Sequence, residues 1–217
     1  MINNGDNIWI GTDSFQGNAT KTAMRLACKI NKEHTFYWAV ATPLVADTAT
    51  GFDFNKVVSA THPKGNLNDK MRTLICKSKV PLSNELAAVK KTSPDYFANF
   101  LTYRALFQVL FVGLENGHPS FTWAVLNAQE SNGKVEIVSQ GPETTGSKLG
   151  VFSMGEDKAA KAYISAHIGE LTDDPARLIR DSIAAQESEE PEMVGGPISI
   201  AKIDPSGFTW IQKGECQ

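Results

Sequence analysis

Three polar residues, Thr12, Asp13 and Ser14, close the apolar run IWIG near the start of the chain. Two hydroxyls flanking a carboxylate at the end of a strand are groups that can accept, donate or relay a proton. Thr12 and Ser14 are internal, so neither has a free α-amine of its own to serve as base. Lys29 follows 16 residues after Asp13, in RLACKINK. An Asp at a strand end is also a common turn or cap residue, and a lysine in such a stretch is ordinarily solvated. Residue type and spacing leave both readings open.

The elements that must position these groups are legible as patterns. Ile8–Gly11 and Thr35–Ala41 (TFYWAVA) are short, rich in β-branched and aromatic residues and bounded by turn formers, which predicts strands. From Leu67 to Ala105 apolar residues recur at three- and four-residue spacing, predicting a helical stretch broken at Pro81 and Pro94. LFQVLFVGLE, SFTWAVLNAQ and GKVEIVSQG, separated by NGHP and ESNG, predict a three-stranded antiparallel meander. A short strand in LGVFSMG leads to a helix whose small-residue face would bury Ala159, Ala162, Tyr163, Ala166 and Ile168. Asp174 as cap and Pro175 at the first position open the next helix. Two strands joined by a PSG turn end the chain. Segregated blocks of strands and helices give the α+β class, and a single domain over 1–217 in which two antiparallel sheets lie between helical layers, an αββα sandwich.

Composition excludes several function classes. The 217 residues are 41% hydrophobic and 21% charged, with a formal net charge of −3 and both signs intermixed, so neither a nucleic-acid footprint nor a polybasic membrane patch is expected. The sequence has no membrane-length apolar run and no secretion-type leader, which makes the cytoplasm the expected location. Cys28, Cys76 and Cys216 are odd in number and far apart, without a CxxC pair, and are expected to be free thiols, two of them buried. His34, His62, His118 and His167 fall in unrelated settings, so no metal or other cofactor is expected. The four tryptophans, all on strand-like segments, are expected in the core, and ESEEPE at 187–192 reads as a solvated helix end.

Taken together, a strand ending in GTDS, the later CKI, the SMGED before a helix and the closing VGGPISIAKIDPSGFTWI resemble the proteasome β-subunit family of N-terminal nucleophile (Ntn) hydrolases, in element order over essentially the whole chain. Asp13 and Lys29 keep the family's 16-residue spacing. The resemblance implies amide-bond hydrolysis of a peptide or other amide substrate by the side-chain oxygen of the chain's first residue, with its α-amine as base. Lys29 would then stabilise charge at the nucleophile and Asp13 would hold Lys29, with Thr12, Ser14, Asp47, Gly155 and Glu156 beside the site. It also implies assembly into a homo- or hetero-oligomer.

Departures from the family are informative. The nucleophile's position falls before Met1, and removal of Met1 would expose Ile2, which has no nucleophilic atom. The family's first strand is therefore expected to be missing or replaced, in part by MINNGDNIWI. Gly155, Glu156 and Asp157 stand where active members carry a Gly-Ser turn, and Pro191 and Val194 precede Gly195 and Gly196 where they carry Asp and Ser. Pro43, which has no N–H, sits where an oxyanion-binding amide is expected. Three readings follow: a peptidase whose nucleophile strand lies upstream, a catalytically silent structural or interaction subunit, or a binding module or hydrolase of other specificity on the same sandwich.

Overall fold

The structure, a computed structural model, describes residues 1–17, 24–42, 46–47, 50–61, 65–102, 105–143, 149–155 and 157–216. Along the chain run β1 (Ile2–Asn3), β2 (Ile8–Thr12), β3 (Phe15–Gly17), β4 (Met24–Leu26), β5 (Asn31–Glu33), β6 (Phe36–Ala41), β7 (Ala46–Asp47) and β8 (Phe52–Asp53). Then come α1 (Phe54–Thr61), α2 (Leu67–Thr92), α3 (Pro94–Thr102), β9 (Phe107–Glu115), β10 (His118–Ser131), β11 (Lys134–Glu143) and β12 (Gly150–Val151). Last are α4 (Lys158–Ala166), a 3-10 turn (Ile168–Leu171), α5 (Pro175–Glu189), β13 (Ser199–Asp204) and β14 (Gly207–Gln212). The fold is α+β, with one five-stranded sheet ordered β12-β1-β2-β13-β14 and another ordered β11-β10-β9-β6-β5.

The chain forms two compact units, the first of Met1–Ala39, Val112–Phe121 and Thr145–Gln217, the second of Val40–Phe111 and Thr122–Thr144. In the first unit, β2 is central and pairs antiparallel with β1 on one side and β13 on the other. Ile2 and Ile200 form a core with Ile164 of α4, Leu171, and Leu178 and Ile179 of α5, against which Trp9 packs. This apolar burial docks both helices on one sheet face. Asp174 accepts from Arg177 N at 2.9 Å and Pro175 opens α5, as the sequence predicts. The α4 face differs from expectation: Ile164 is its buried residue, while Ala162, Ala166 and Ile168 are exposed. Alanine carries too little apolar area to set a helix's orientation, so the larger Ile164 and nearby Leu171 decide it. The start of α4 is capped from a distance, because Gln186 Oε1 accepts from Ala159 N and Ala160 N at 2.8 and 3.1 Å.

In the second unit α2 packs along β11, with α1 and α3 against α2. The helix stops before Pro94, as expected, but runs straight through Pro81. An interior proline costs about 3 kcal/mol. Leu74, Leu82 and Leu86, all fully buried, continue one apolar stripe across it, and each contributes about 1.5–3 kcal/mol. The meander forms as predicted, with two-residue turns at Asn116-Gly117 and Asn132-Gly133, all four residues at positive φ, the signature of the type I′ hairpin turn. The four tryptophans lie on strands, but Trp38 is buried whereas Trp9, Trp123 and Trp210 are half-buried.

Two sequence expectations meet the start of the chain and the cysteines. β1 lies between β12 and β2 and pairs with both, so the start of the sequence forms a short strand there. Cys28 and Cys216, expected as free thiols, form a disulfide, while Cys76 is free and exposed. Separation in sequence sets no lower bound on distance in a fold, and here a separation of 188 residues closes to 4.6 Å between Cα atoms.

Candidate active site

The site is built where β2 ends. Beyond Thr12 the chain leaves the sheet, and Ser14 N and Phe15 N both donate to Gly195 O at 3.1 Å, fixing the turn against the segment that precedes β13. The buried Ser14 donates its hydroxyl to Pro197 O, and Ala27 N donates to Ser14 O at 2.9 Å, which ties the strand end to the stretch carrying Lys29. Asp13 is thereby placed next to Lys29. Lys29 Nζ donates to Asp13 Oδ1 at 2.7 Å, with side-chain exposures of 27% and 14%. Asp13 Oδ2 accepts from Phe15 N at 3.2 Å and from Gly195 N at 3.3 Å. A carboxylate held by two backbone amides and one ammonium has few orientations left to it, and charge-assisted contacts of this kind are the stronger hydrogen bonds.

Gly195 is the residue whose part in the site sequence reasoning missed. A Cβ there would lie 2.8 Å from Phe15 Cε2 and 2.9 Å from Glu187 Oε1, so any other residue would have to displace the Phe15 ring and the Glu187 carboxylate to bring its N–H and C=O to the Asp13 turn. The signal was present in the VGGPI motif; what it lacked was any indication that the pair faces Asp13. Thr12, at the register position opposite Ser199, buries its Oγ1 without a hydrogen-bond partner. Gly155, at φ +79, lies between β12 and α4. Glu156 and Pro43 lie outside the described residues, as does His62. Among the described residues no group of three or more His, Cys, Asp or Glu side chains could hold a metal ion, and no helix is long and apolar enough to cross a membrane.

Asp47 belongs to the second unit, where it ends β7 and neighbours Glu85. Glu85, 2% exposed in the middle of α2, accepts from Thr50 Oγ1 through Oε2, while its Oε1 has no hydrogen-bond donor. Burial pushes the Glu85 carboxyl above its ordinary value, the Thr50 hydroxyl opposes this, and the neighbouring Asp47 carboxyl adds to the rise. The unfolded chain therefore loses its Glu85 proton first as pH rises, and stability is lost from about pH 4.5 upward through the raised folded value. Glu85→Gln, which keeps the Thr50 bond, is expected to raise stability at pH 7 by about 1 kcal/mol and to leave it unchanged at pH 4. Urea denaturation at the two pH values reads this, and a variant destabilised at pH 7 would contradict it.

No family model matches the chain, and a search of curated proteins returns no relative.

Proposed function

We propose that this chain is a proteasome-like Ntn-hydrolase scaffold, a four-layer αββα sandwich in which Asp13 and Lys29 form the supporting pair for amide-bond hydrolysis. The observation that carries the reading is the Lys29–Asp13 contact at 2.7 Å, with the other carboxylate oxygen fixed by Phe15 N and Gly195 N. A lysine so held is directed, as a group that stabilises an alkoxide or passes on its proton must be.

Register supports the placement of the missing nucleophile. Ile2 pairs with Trp9 and Asn3 with Ile8, so each step upstream along β1 is a step towards the end of β2. Continued in that register past the end of β2 at Thr12, the third residue before Met1 would come level with Asp13. A strand extended by that length carries its first residue to the supporting pair.

The test is a chain extended upstream by a short alternating strand that begins with Thr. Expected is turnover of a fluorogenic peptide amide, lowered about 10²–10⁴-fold by Lys29→Ala and absent from the chain as written. A folded, correctly processed extended chain without turnover sinks the hydrolase reading. The second reading, a catalytically silent subunit, is favoured by β1 itself, whose pairing with both neighbours completes the sheet without a nucleophile. A clean monomer in size-exclusion chromatography, binding no related subunit, would count against it.

A further inference from the structure

Lys29 is preceded by a cysteine that the fold binds covalently to the far end of the chain. The Cys28–Cys216 disulfide joins the residue next to Lys29 to the turn after β14. That turn is itself anchored: Cys216 N donates to Lys213 O at 2.8 Å, and Ser199 Oγ donates to the same carbonyl at 2.6 Å. Ser199 is the first residue of β13 and pairs with Thr12, the residue before Asp13. The two members of the supporting pair are thus tied to one small region by different means. Asp13 is held by the Gly195 backbone and Lys29 by the sulfur bridge.

These tethers are unequal in number. Asp13 keeps two backbone donors and the Ser14 and Phe15 contacts whatever happens to the cysteines. On the Lys29 side, β4 pairs with β3 up to Leu26, Ala27 N donates to Ser14 O at 2.9 Å and β5 pairs with β6 from Asn31, so residues 28–30 lie between two ladders and the disulfide is the covalent link of that short span. Of the two sulfurs, Cys28 belongs to a half-buried residue while Cys216 is 4% exposed, so an incoming thiolate has its access at Cys28.

We propose that the Cys28–Cys216 disulfide is a redox latch on the Asp13–Lys29 pair, opened by a dithiol reductant and closed by a disulfide oxidant. A thiolate of the reductant attacks the Cys28 sulfur, the Cys28–Cys216 bond breaks, and Cys216 leaves as a thiolate that takes up a proton. The reductant's second thiol then attacks the mixed disulfide, releasing Cys28 as a thiol. Two electrons and two protons pass to the protein, and the reductant becomes a disulfide. Opened, the latch frees the C-terminal turn from the lysine's segment, and Lys29 loses one of the restraints that keep it on Asp13. In a reducing cytosol the latch stands open, and in an oxidising compartment it stands closed.

The latch bears on function only through the reading of Asp13 and Lys29 given above, but its test does not require activity. Thiol counting by mass after alkylation is expected to give one free thiol, Cys76, in protein isolated under air, and three after treatment with dithiothreitol. Amide exchange over residues 26–31 and 213–216 is expected to speed at least tenfold on reduction and in Cys28→Ser, but not in Cys76→Ser. Exchange in β10 and β11 is expected to stay unchanged. Three free thiols before reduction, or unchanged exchange at 26–31 after it, overturns the proposal. Exchange that rises equally in β10 and β11 also overturns it, because the bridge is then a staple for the whole fold. An inactive extended chain with these thiol and exchange results would reject the hydrolase reading and leave the latch standing.

Discussion

Gly11→Ala is expected to destabilise the protein by about 2–3 kcal/mol, read as a fall in melting temperature of roughly 5–10 °C for a chain of this size. The cause is the closeness of α5 to β2. A Cβ on Gly11 would lie 2.0 Å from Ile179 Cγ2 and 3.5 Å from Ile183 Cδ1. Ile179 cannot swing away cheaply, because a β-branched side chain in a helix has one strongly preferred χ1 and this one is 4% exposed in the core. Either α5 lifts or β2 moves, and β2 carries Asp13 two residues further on. The paired variant separates steric conflict from any backbone effect. Ile179→Ala on its own leaves a cavity and costs about 2–5 kcal/mol, but it removes the clashing methyl. Combined with Gly11→Ala it is expected to cost less than the sum of the two by about 1–3 kcal/mol. Strict additivity in chemical denaturation would show that the glycine is not what admits α5.

That glycine illustrates what local sequence can convey and what it cannot. Strands, turns and helix starts were readable because their determinants sit within a few residues. Asn132-Gly133 specifies its hairpin turn, and Asp174-Pro175 specifies the start of α5. Pro94 ended a helix where Pro81 did not, since the difference lies in the buried leucines on both sides of Pro81 and not in the proline. The site divides in the same way. The spacing of Asp13 and Lys29 was visible, and the two do meet at 2.7 Å. Their supports, Gly195 at a separation of 182 residues and the Cys28–Cys216 bridge at 188, arise from contacts that no local pattern encodes. Asp47, grouped with the pair by resemblance, lies beside Glu85 of α2.

The start of β1 gives the largest pH effect. In a chain that begins at Met1, the α-amine donates to Phe152 O at 2.8 Å, and burial lowers its pKa from 8.0 to about 5. Desolvation penalises the charged amine, so the folded protein keeps it neutral where the unfolded chain has already protonated it. Above pH 8 both states are neutral and nothing is lost. As pH falls from 8 towards 5 the unfolded chain binds the extra proton, and stability falls by about 1 kcal/mol at pH 7 and about 4 kcal/mol below pH 5. An upstream peptide bond removes this loss, because its amide N–H makes the same bond to Phe152 O and carries no charge. Urea midpoints of the chain starting at Met1 and of an N-acetylated form are therefore expected to agree at pH 8.5 and to separate progressively at pH 7 and 5.5, the acetylated form being the more stable. Parallel curves across that range would mean that the amine is solvated, and that β1 does not sit in the sheet deeply enough to be the terminal part of a longer strand. Divergence would instead show that this position in the sheet disfavours a charged chain start and accepts a continuing backbone.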